Sequence, residues 1–571
     1  MSRSQFSPLV AALGLLLLAG CGGGGGHGGG GPTRAPSATP TTSAAPSIPA
    51  TGTATSAPPT SPPPATATHT AAATASSTAT ASPTPTQNPL RVSALHGVPD
   101  QTNGGRIVDT EGREVLLRGV NVNALVEYWQ GGEFPTVFPF TDADADLMAA
   151  VGWNAVRLLL SWSRVEPEPG VFDAAYLEQA RAAVRLLAAR GIYSIIDLHQ
   201  DAWSATLAAS PDEVCLPSFE PALGWDGAPA WATLDEDKAR CAPQGVRELS
   251  PAVQAAFANF FADAPGPGGV GIRARYVAML AHVAGVLGPE PGVAGYDLMN
   301  EPNAFGVQPQ MALAEMYGQA LAAIRAAERA AGSPSRLVLF EPSALWSATG
   351  NGPPPDFPRG DDPDLVYAPH IYTGGFDNGP IAAPAFEIAR DEAKQFGGVP
   401  VLSGEWGSDP RRASNPADPY FLAHQDLQDE FRFSATLWTW HESCGDPHKQ
   451  ADFRAGRIPY VWGEFEVDCT TNAITGLRED LLDQLTWAYV RAAPGRLLET
   501  NYDSATGAFV ARGTTRTTGS EFLAFYPASR HGEPTPVTSG LADVRLLLAP
   551  GDNLYIVARA TGGDWSLTIT P

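Results

Sequence analysis

The sequence is poor in basic residues. Its 571 residues include 36 lysines and arginines against 60 aspartates and glutamates, which gives a formal net charge of -24. Proteins that bind a nucleic-acid backbone carry basic patches that neutralise phosphates. The charge balance therefore argues against such a role, and we expect no nucleic-acid partner.

Long hydrophobic runs are also lacking. The apolar run from Leu9 to Leu18 follows Arg3 and is too short to span a bilayer, but it suits the core of a signal peptide. It leads into Leu18-Ala19-Gly20-Cys21, which resembles the bacterial lipobox. This resemblance implies cleavage before Cys21 and acylation of that cysteine; an ordinary signal with a chance cysteine is the alternative. We expect a protein of the bacterial cell envelope, lipid-anchored and facing outside the cytoplasm, or secreted.

The next segment, from Gly22 to about Pro89, has almost no charge and almost no large apolar side chains. Residues 22–92 begin with an oligoglycine stretch and continue in threonine, alanine, proline and serine. Such a composition cannot bury enough surface to offset the entropy lost on ordering. We expect residues 1–21 to be the signal peptide and residues 22–92 a disordered linker stiffened by proline.

Cysteine is scarce, with only five in the chain. With Cys21 used for lipid, four remain: Cys215, Cys241, Cys444 and Cys469. Pairing of Cys215 with Cys241 and of Cys444 with Cys469 is the simplest of three connectivities for an exported protein. The alternative is a zinc site, but no two of these cysteines have close ligand spacing. We expect two local disulfides and no metal.

From residue 93 onward, short apolar runs alternate with helical stretches. Eight such runs read as strands, each followed by a crossover, which predicts a (β/α)8 barrel over residues 93–493. The last barrel helix is expected near Trp487–Arg491. Residues 494–571 show about five alternating runs separated by turns, which predicts a small antiparallel β-sandwich. That domain has no evident site and reads as a stability module, with carbohydrate binding as the alternative.

An open, doubly wound sheet is the competing fold. It is disfavoured because no glycine-rich phosphate loop follows the first strand, and because polar residues recur at most strand ends rather than at one switch point. A barrel gathers the carboxyl ends of all its strands at one mouth. The residues at those ends are Arg157, His199, Asn300, Glu301, Glu341, His370, Tyr372, Glu405 and Trp438.

Two of the strand ends carry glutamates. The run from Gly295 ends in Asn300-Glu301-Pro302, and the run from Val399 ends in Glu405-Trp406-Gly407. Proline cannot donate to a continuing strand ladder, so the first strand stops there. Hydrolysis of a glycoside with retention needs two carboxyls about 5 Å apart, one as acid and base and one as nucleophile. Glu301 suits the acid/base, beside Asn300 to hold the sugar 2-hydroxyl, and Glu405 suits the nucleophile.

The ordered set of motifs resembles family-five glycoside hydrolases. Besides the two glutamate motifs, Val156-Arg157-Leu158 and His370-Ile371-Tyr372 fall at the strands that this family uses. Within the family, Asp197-Leu198-His199-Gln200-Asp201 resembles the endoglycoceramidases more than the cellulases. One departure is that a tryptophan follows the proposed nucleophile where phenylalanine is usual.

The resemblance implies roles for the remaining residues. Arg157 and Tyr372 are expected to hydrogen-bond Glu405 and keep it ionised, and His199 and His370 to hold hydroxyls or orient the acid. No cofactor is implied, and we expect a monomer. The residues expected to contact substrate are Arg157, His199, Asp201, Asn300, His370, Tyr372 and Trp438.

Each of these residues also has a purely structural interpretation. Glu301 can be a carboxylate at the start of a helix, and Glu405 can be the ion-pair partner of a barrel arginine. Arg157, His199 and His370 can be core residues. Trp440 fits the core as well as the mouth. Glu341 is expected to support other site residues rather than to touch substrate. The group His441, Glu442, Asp446 and His448 suggests a metal cluster, but a solvated loop is the preferred interpretation.

The substrate prediction rests on the long segment Ala202–Ile272 after the third strand. It contains Trp203, Phe219, Trp225, Trp231 and a helical pattern through Val253, Phe257, Phe260 and Phe261. One interpretation is packing on the barrel rim; the other is an apolar channel for the lipid of a glycosphingolipid. We predict cleavage of a β-glycosidic bond to a lipid aglycone. The alternatives are a cellulase-type β-glucanase, a non-catalytic carbohydrate-binding lipoprotein and a phosphate-dependent barrel enzyme, the last weakened by the missing glycine-rich loop after strand seven.

Overall fold

A computed structural model of the chain describes residues 90–304, 309–352, 354–357, 362–375, 383–408, 412, 415 and 418–571. The predicted signal peptide with Cys21, and the predicted linker up to residue 89, lie outside the described residues. No helix within these ranges is long and apolar enough to cross a membrane.

Eight parallel strands form a barrel, as the sequence predicts. Neighbouring strands of the barrel follow chain order. The sixth strand is joined to the residue just before the seventh by one β-bridge, between Tyr367 and Val401. The barrel strands, numbered one to eight in chain order, are Arg118–Val122, Ala155–Ser161, Tyr193–His199, Val293–Asp297, Leu337–Phe340, Leu365–Tyr367, Leu402–Trp406 and Ser434–Leu437.

The barrel strands are buried along their whole length. All residues of strands two and three, Ala155–Ser161 and Tyr193–His199, are buried. A parallel strand in a barrel faces the interior on one side and helices on the other, so it needs a nearly continuous apolar run. Charged residues within these runs, such as Arg157, are therefore placed in the barrel interior and require partners there.

Helices cover the outside of the barrel. The helix Ala174–Ala188 shows how the sequence sets their limits: the Asp173 side chain accepts hydrogen bonds from the backbone N–H groups of Ala175 and Tyr176, which are free at the helix start. The α-helices are Asp142–Val151, Trp162–Val165, Ala174–Ala188, Pro251–Phe261, Ile272–Leu287, Pro309–Ala331, Ala344–Thr349, Ala383–Gln395, Tyr420–Phe431, Pro447–Arg454, Glu479–Leu485 and Ala528–His531.

Two antiparallel sheets form the sandwich at the C-terminus. The seven-stranded sheet contains Leu95–Val98, Arg106–Asp109, Glu114–Val115, Tyr489–Ala493, Glu521–Tyr526, Asn553–Ala560 and Leu541–Ala549. The four-stranded sheet contains Arg496–Asp503, Ala508–Thr515, Gly563–Ile569 and Val537–Ser539. The range expected for the barrel, 93–493, thus includes four strands that pair in the seven-stranded sheet.

One of those strands corrects the sequence prediction. We expected the last barrel helix at Trp487–Arg491, but Tyr489–Ala493 is a strand buried on both faces. It pairs with Glu521–Tyr526 on one side and with Glu114–Val115 on the other. A five-residue segment has too little local helix stability to resist such pairing, so the tertiary partners decide its conformation.

The same strand fixes the sandwich against the base of the barrel. Arg491 donates hydrogen bonds to the carbonyl oxygens of Gly152 (3.1 Å) and Gly191 (2.8 Å), which end two barrel helices. Gly152 has a φ of 92°, and a Cβ there would lie 2.4 Å from the Phe525 ring. Glycine is therefore required at this helix end by both backbone conformation and space.

Both predicted disulfides are present. Cys215 and Cys241 have their Cα atoms 5.6 Å apart, and Cys444 and Cys469 have theirs 5.4 Å apart. The first disulfide ties the segment after strand three, which carries the short hairpin Phe219–Pro221 and Cys241–Pro243. It also carries the 3-10 turns Ala205–Leu207, Ala230–Ala232, Arg247–Leu249 and Pro267–Gly269. The second ties the loop after strand eight to the hairpin Phe465–Asp468 and Ala473–Leu477.

Candidate active site

The two glutamates lie together at the carboxyl ends of strands four and seven. One carboxylate oxygen of Glu301, one of Glu405 and a ring nitrogen of His370 all lie within 4.8 Å of one another. Retaining glycosidases place their two carboxyls about 5–5.5 Å apart, whereas inverting enzymes leave about 6.5–9.5 Å for a water molecule. The separation therefore fits direct attack by one carboxylate on the sugar.

Arg157 lies at the centre of the site and is fully buried. Burial opposes its charge, but Asp197 and Asp297 outweigh that effect and raise its pKa, so it remains a cation. It orients the side chains at the ends of strands three, four, five and seven. Its partners are Asp197 (2.9 Å), Asp297 (3.0 Å), Glu341 (3.1 Å), Glu405 (2.9 Å), Asn121 (3.1 Å) and Asn300 (3.0 Å).

Glu301 has an unusual backbone conformation. Its φ is 38°, in the left-handed region that residues with a Cβ rarely adopt. Hydrogen bonds hold it there: the Glu301 N–H donates to Glu341 Oε2 (2.9 Å) and Gln200 Nε2 donates to the Glu301 carbonyl (3.0 Å). Backbone of this kind costs about 1–3 kcal/mol and is concentrated at functional sites. The strain turns the carboxyl group at the end of strand four into the mouth.

Glu405 has two hydrogen-bond donors on its carboxylate. Arg157 Nη1 donates to Oε1 (2.9 Å) and the Tyr372 hydroxyl donates to Oε2 (2.8 Å), the two contacts that we expected from the sequence. Burial nevertheless raises the pKa of Glu405, against the lowering charges of His370 and Arg157. The carboxylate is thus held in one orientation with both oxygens engaged.

His370 connects the carboxyls of the site. Its Nδ1 lies 2.8 Å from Glu301 Oε1 and 3.5 Å from Glu405 Oε2, and its Nε2 lies 3.1 Å from Glu341 Oε1. Burial opposes protonation of the ring, but the charges of Glu341 and Glu405 raise its pKa well above the ordinary value. Burial would also raise the pKa of Glu301, yet the hydrogen bond and charge of His370 lower it. One proton is therefore held between His370 and Glu301.

The rings of His199 and Trp438 stack on each other at the ends of strands three and eight. The two rings stack at 5.6 Å, and His199 Nδ1 lies 2.8 Å from Asp197 Oδ2. The other ring nitrogen, Nε2, is buried and has no hydrogen-bond partner; it lies 3.5 Å from Asp201 Oδ2. Buried polar atoms normally find partners, so an open donor at the mouth points to a ligand hydroxyl. Trp440, in contrast, is fully buried, and its Nε1 donates to Asp144 Oδ1 (2.9 Å), which makes it a core residue.

Trp203 and the buried phenylalanines of the helix Pro251–Phe261 pack inward rather than line a channel. The rings of Phe257 and Phe260 lie 4.9 and 5.1 Å from Trp203, and Trp203 in turn contacts Trp162. Phe257, Phe260 and Trp203 are all buried. The helix Pro251–Phe261 therefore packs on the barrel rim, and an apolar lipid channel formed by these side chains is not what the structure has. The reason is that Trp203 and Tyr276 already offer them an apolar surface.

The same segment supplies a polar group that sequence reasoning missed. Arg247 donates to Asp201 Oδ1 (2.8 Å), and its guanidinium lies 3.9 Å from the centre of the Trp225 ring. Its Nη1 lies 3.3 Å from His448 Nε2. Burial would raise the pKa of Asp201, but the charges of Arg247 and His199 lower it. Arg247 comes from an irregular stretch with no periodic pattern, so no sequence signal identified it.

The loop after strand eight corrects another expectation. We expected a solvated loop, but His441, Glu442 and Asp446 are buried. Lys449 lies 2.9 Å from Glu442 Oε2, and His448 Nδ1 lies 2.7 Å from Asp446 Oδ1. The disulfide at Cys444 folds this loop inward, which a run of polar residues does not reveal. Glu442 therefore has a cation beside it, and Asp446 has a histidine ring.

The structure brings the predicted site residues to one mouth. Those are Arg157, His199, Asp201, Asn300, Glu301, His370, Tyr372, Glu405 and Trp438. Glu341 contacts Arg157, His370 and the Glu301 backbone, as expected of a supporting residue. Sequence reasoning did not single out Asp297, Gln200 or Arg247. Asp297 and Gln200 lie within or beside the motifs already recognised, so their position was a usable signal.

A barrel with two carboxyls this close at the ends of strands four and seven is the arrangement of retaining O-glycosyl hydrolases. Comparison with known proteins agrees. The family profile described as cellulase (glycosyl hydrolase family 5) matches residues 108–443, more than half of the chain. The chain belongs to glycosyl hydrolase family 5, whose enzymes hydrolyse glycosidic bonds with retention of configuration.

Within the family, the chain is similar to proteins named endoglycoceramidase or endogalactoceramidase. Endoglycoceramidase I of Rhodococcus hoagii (strain 103S) is 29% identical over 48% of this chain and 52% of its own length, so the match spans about half of that relative. A crystal structure of endogalactoceramidase is 36% identical, with a TM-score of 0.74, over 84% of this chain and all of the other. A lactosyl-enzyme intermediate of endo-glycoceramidase II from Rhodococcus sp. is 26% identical, with a TM-score of 0.61, over 81% of this chain and 99% of the other.

Proposed function

We propose that this chain hydrolyses the β-glycosidic bond between the glycan and the lipid aglycone of a glycosphingolipid. The observation that carries the mechanism is the short separation of Glu301 and Glu405, with His370 between them. The lipid aglycone is supported by the similarity to endogalactoceramidase along most of the chain. No cofactor is needed, because protons and the nucleophile all come from side chains.

In the first step, Glu405 attacks the anomeric carbon while the bond to the lipid oxygen breaks. The one proton that Glu301 and His370 share, across 2.8 Å, passes through Glu301 to that leaving oxygen and leaves His370 neutral. A covalent glycosyl-enzyme forms, and the lipid alcohol departs. Arg157 and Tyr372 hold the Glu405 oxygens so that the attacking lone pair faces the sugar.

In the second step, water hydrolyses the glycosyl-enzyme. The Glu301–His370 pair now takes a proton from the water, whose oxygen attacks the same carbon and releases Glu405. Two displacements restore the original anomeric configuration. The lactosyl-enzyme intermediate recorded for endo-glycoceramidase II supports the same sequence of steps here.

The sugar next to the broken bond is held by polar groups. Asn300 uses its oxygen for Arg157 and donates one amide hydrogen to the Gln200 carbonyl (3.0 Å), which leaves its second hydrogen for the 2-hydroxyl. His199 Nε2 is open to a hydroxyl, and Trp438 gives the ring a flat apolar surface. Asp201 and Arg247 extend this polar wall toward the remainder of the glycan.

The second candidate is a β-glucanase that acts on soluble chains, which the cellulase description of the family favours. The two functions differ in where binding energy originates. Burial of a lipid gives about 25 cal/mol per Å² of apolar surface, which a short glycan alone lacks.

We therefore expect kcat/KM on a glycosylceramide in detergent micelles to exceed, by about tenfold or more, the value on a soluble glycoside with the same glycan. The two substrates are compared in the same detergent, so the only difference is the aglycone. Equal values, or a preference for cello-oligosaccharides, would reject the glycolipid proposal and leave the two-glutamate mechanism intact.

The activity is expected to follow a bell-shaped pH profile. The acid limb reports protonation of Glu405, whose raised pKa places it above the usual range for glutamate. The alkaline limb reports loss of the proton held by His370 and Glu301, and the raised pKa of His370 places it above that of an ordinary histidine. Measurement of kcat/KM from about pH 4 to 9 tests both limits.

Replacement of His370 by asparagine tests the assignment of these limbs. Without the imidazolium, the pKa of Glu405 rises further and the acid limb moves up. The remaining proton then sits on Glu301 alone and is lost at lower pH, so the alkaline limb moves down. The residual activity should show a narrower profile; unchanged limbs would mean that another group controls the proton.

We also propose that acylated Cys21 anchors the enzyme to the bacterial envelope, outside the cytoplasm, as a monomer. The lipobox-like Leu18-Ala19-Gly20-Cys21 supports this, and an anchor would bring the catalytic mouth near membrane lipids. Cys21→Ser should move the protein from the membrane fraction to the soluble fraction and abolish incorporation of labelled lipid. An unchanged distribution would reject the anchor.

A further inference from the structure

A cavity of about 330 Å³ lies on the side of the barrel opposite the mouth. It is bounded by the chain that leads into strands seven and eight and by the strands Arg106–Asp109 and Glu114–Val115 of the seven-stranded sheet. Its volume is at the lower end of the range for small-molecule sites. Five basic side chains line it: Arg106, Arg390, Lys394, Arg432 and Arg496.

This concentration of positive charge runs against the composition of the chain, in which acidic residues outnumber basic ones by 60 to 36. Three of the five basic groups have acidic partners. Arg496 pairs with Asp100 (3.0 Å), and Arg390 and Lys394 both contact Asp391 (3.0 and 2.8 Å). The guanidinium groups of Arg106 and Arg432 are the two that remain.

Arg106 and Arg432 have no carboxylate within ion-pair distance among the described residues. Arg106 Nε is buried and makes no hydrogen bond. Arg432 donates only to backbone carbonyls, those of Leu498 (3.2 Å) and Glu430 (3.4 Å). Both side chains are only partly buried, yet cations gathered at one cavity without carboxylate partners repel one another, which favours a counter-charge supplied from outside.

The acidic residue in the cavity, Glu114, does not meet that need. Its Oε2 accepts a hydrogen bond from the Leu497 N–H (2.9 Å), which ties it to the sheet. Burial raises its pKa despite the nearby Arg496 and Arg106, which weakens it as a counter-ion. Glu430, the other acidic lining residue, is exposed. The cavity therefore keeps an excess of positive charge.

We propose that this cavity binds a small multivalent oxyanion, carrying carboxylate or phosphate groups, between the base of the barrel and the seven-stranded sheet. The planar guanidinium groups of Arg106 and Arg432 match the paired oxygens of such anions. The anion contacts both the barrel and the sheet, so it stabilises their association in the folded state. The site is separate from the catalytic mouth and does not depend on the proposed reaction.

Calorimetric titration of the full chain with citrate and with inorganic phosphate, at constant ionic strength set by sodium chloride, tests this proposal. We expect saturable binding of one anion per chain to the native protein. Arg106→Gln and Arg432→Gln should each weaken it by about tenfold or more, because each removes a charge-assisted contact. The matched control is Arg516→Gln, on an exposed loop of the sandwich, which should bind as the native protein does.

Native hydrolytic activity in the two cavity variants establishes that they are folded. Preference for citrate or for phosphate identifies which oxyanion class the site takes. Absence of saturable binding by either anion in the native protein overturns the proposal. Equal weakening in Arg516→Gln does so as well, because it would show a general effect of surface charge.

Discussion

Replacement of Glu405 by glutamine is expected to lower kcat/KM by about 10⁴-fold or more on every substrate, because no covalent intermediate can form without the carboxylate. The amide preserves the size of the side chain and keeps one oxygen that can accept from Arg157, while its nitrogen can donate to the Tyr372 hydroxyl. Far-ultraviolet circular dichroism should therefore be unchanged. A variant that retains most activity would show that the nucleophile lies elsewhere.

Replacement of Glu301 by glutamine should have a different signature. Loss of the acid costs about 10²- to 10⁴-fold on a glycolipid, whose alcohol leaves only when protonated. A dinitrophenyl glycoside needs no such help, so its first step should be nearly as fast as with the native enzyme, followed by slow hydrolysis of the intermediate. Equal losses on both substrates would contradict the acid/base assignment.

A matched control for both variants is Glu392→Gln. Glu392 is buried and hydrogen-bonded to Trp346 (3.0 Å) and Tyr367 (2.5 Å), away from the mouth. Burial raises its pKa to about 7, so a neutral amide resembles its protonated form. This variant should keep native kcat/KM, which separates the effect of the site from that of removing any buried carboxyl.

Replacement of Arg157 by methionine is expected to damage both stability and activity. It leaves four buried carboxyl groups without their shared cation, and removal of one partner from a buried ionic network costs about 3–5 kcal/mol of unfolding free energy. Activity should fall with it, because Glu405 and Asn300 lose the group that orients them. Arg157→Lys should restore little, since an ammonium cannot reach the same partners as a planar fork.

The control for Arg157 is another buried arginine, Arg336, which donates to the carbonyl oxygens of Gly288 and Glu290 at the base of the barrel. Arg336→Met should also lower the melting temperature, but kcat/KM measured well below that temperature should stay native. Calorimetry and kinetics on the two variants separate structural loss from loss of the site. If both variants lose stability alone, Arg157 is a structural residue.

The fold was predictable because its signals are local and repeated. Apolar runs such as Ala155–Ser161, followed by helices with identifiable caps, mark the units of a barrel, and barrel geometry then brings distant strand ends together. Glu301 and Glu405 could therefore be paired without any knowledge of distance. The disulfides were predictable for a similar reason, since each joins cysteines of one local segment.

The predictions that were wrong, and the residue that was missed, depend on contacts between distant parts of the chain. Tyr489–Ala493 became a strand because it lies between two partners far away in sequence. The helix Pro251–Phe261 has the apolar face that a lipid channel would need, yet Trp203 and Tyr276 occupy that face. Arg247 reaches Asp201 from an irregular turn. In each case the sequence gives the character of the residue but not its partner.

In the proposed mechanism, Glu405 forms a covalent bond with the sugar while Glu301 supplies the proton. This mechanism is tested most directly by mass spectrometry of the Glu301→Gln variant, quenched in acid during turnover of a dinitrophenyl β-glycoside and then digested. The slow second step should leave one glycosyl group on the peptide that contains Glu405. A glycosyl group on a different peptide, or complete turnover to the inverted sugar with no adduct, would contradict the account.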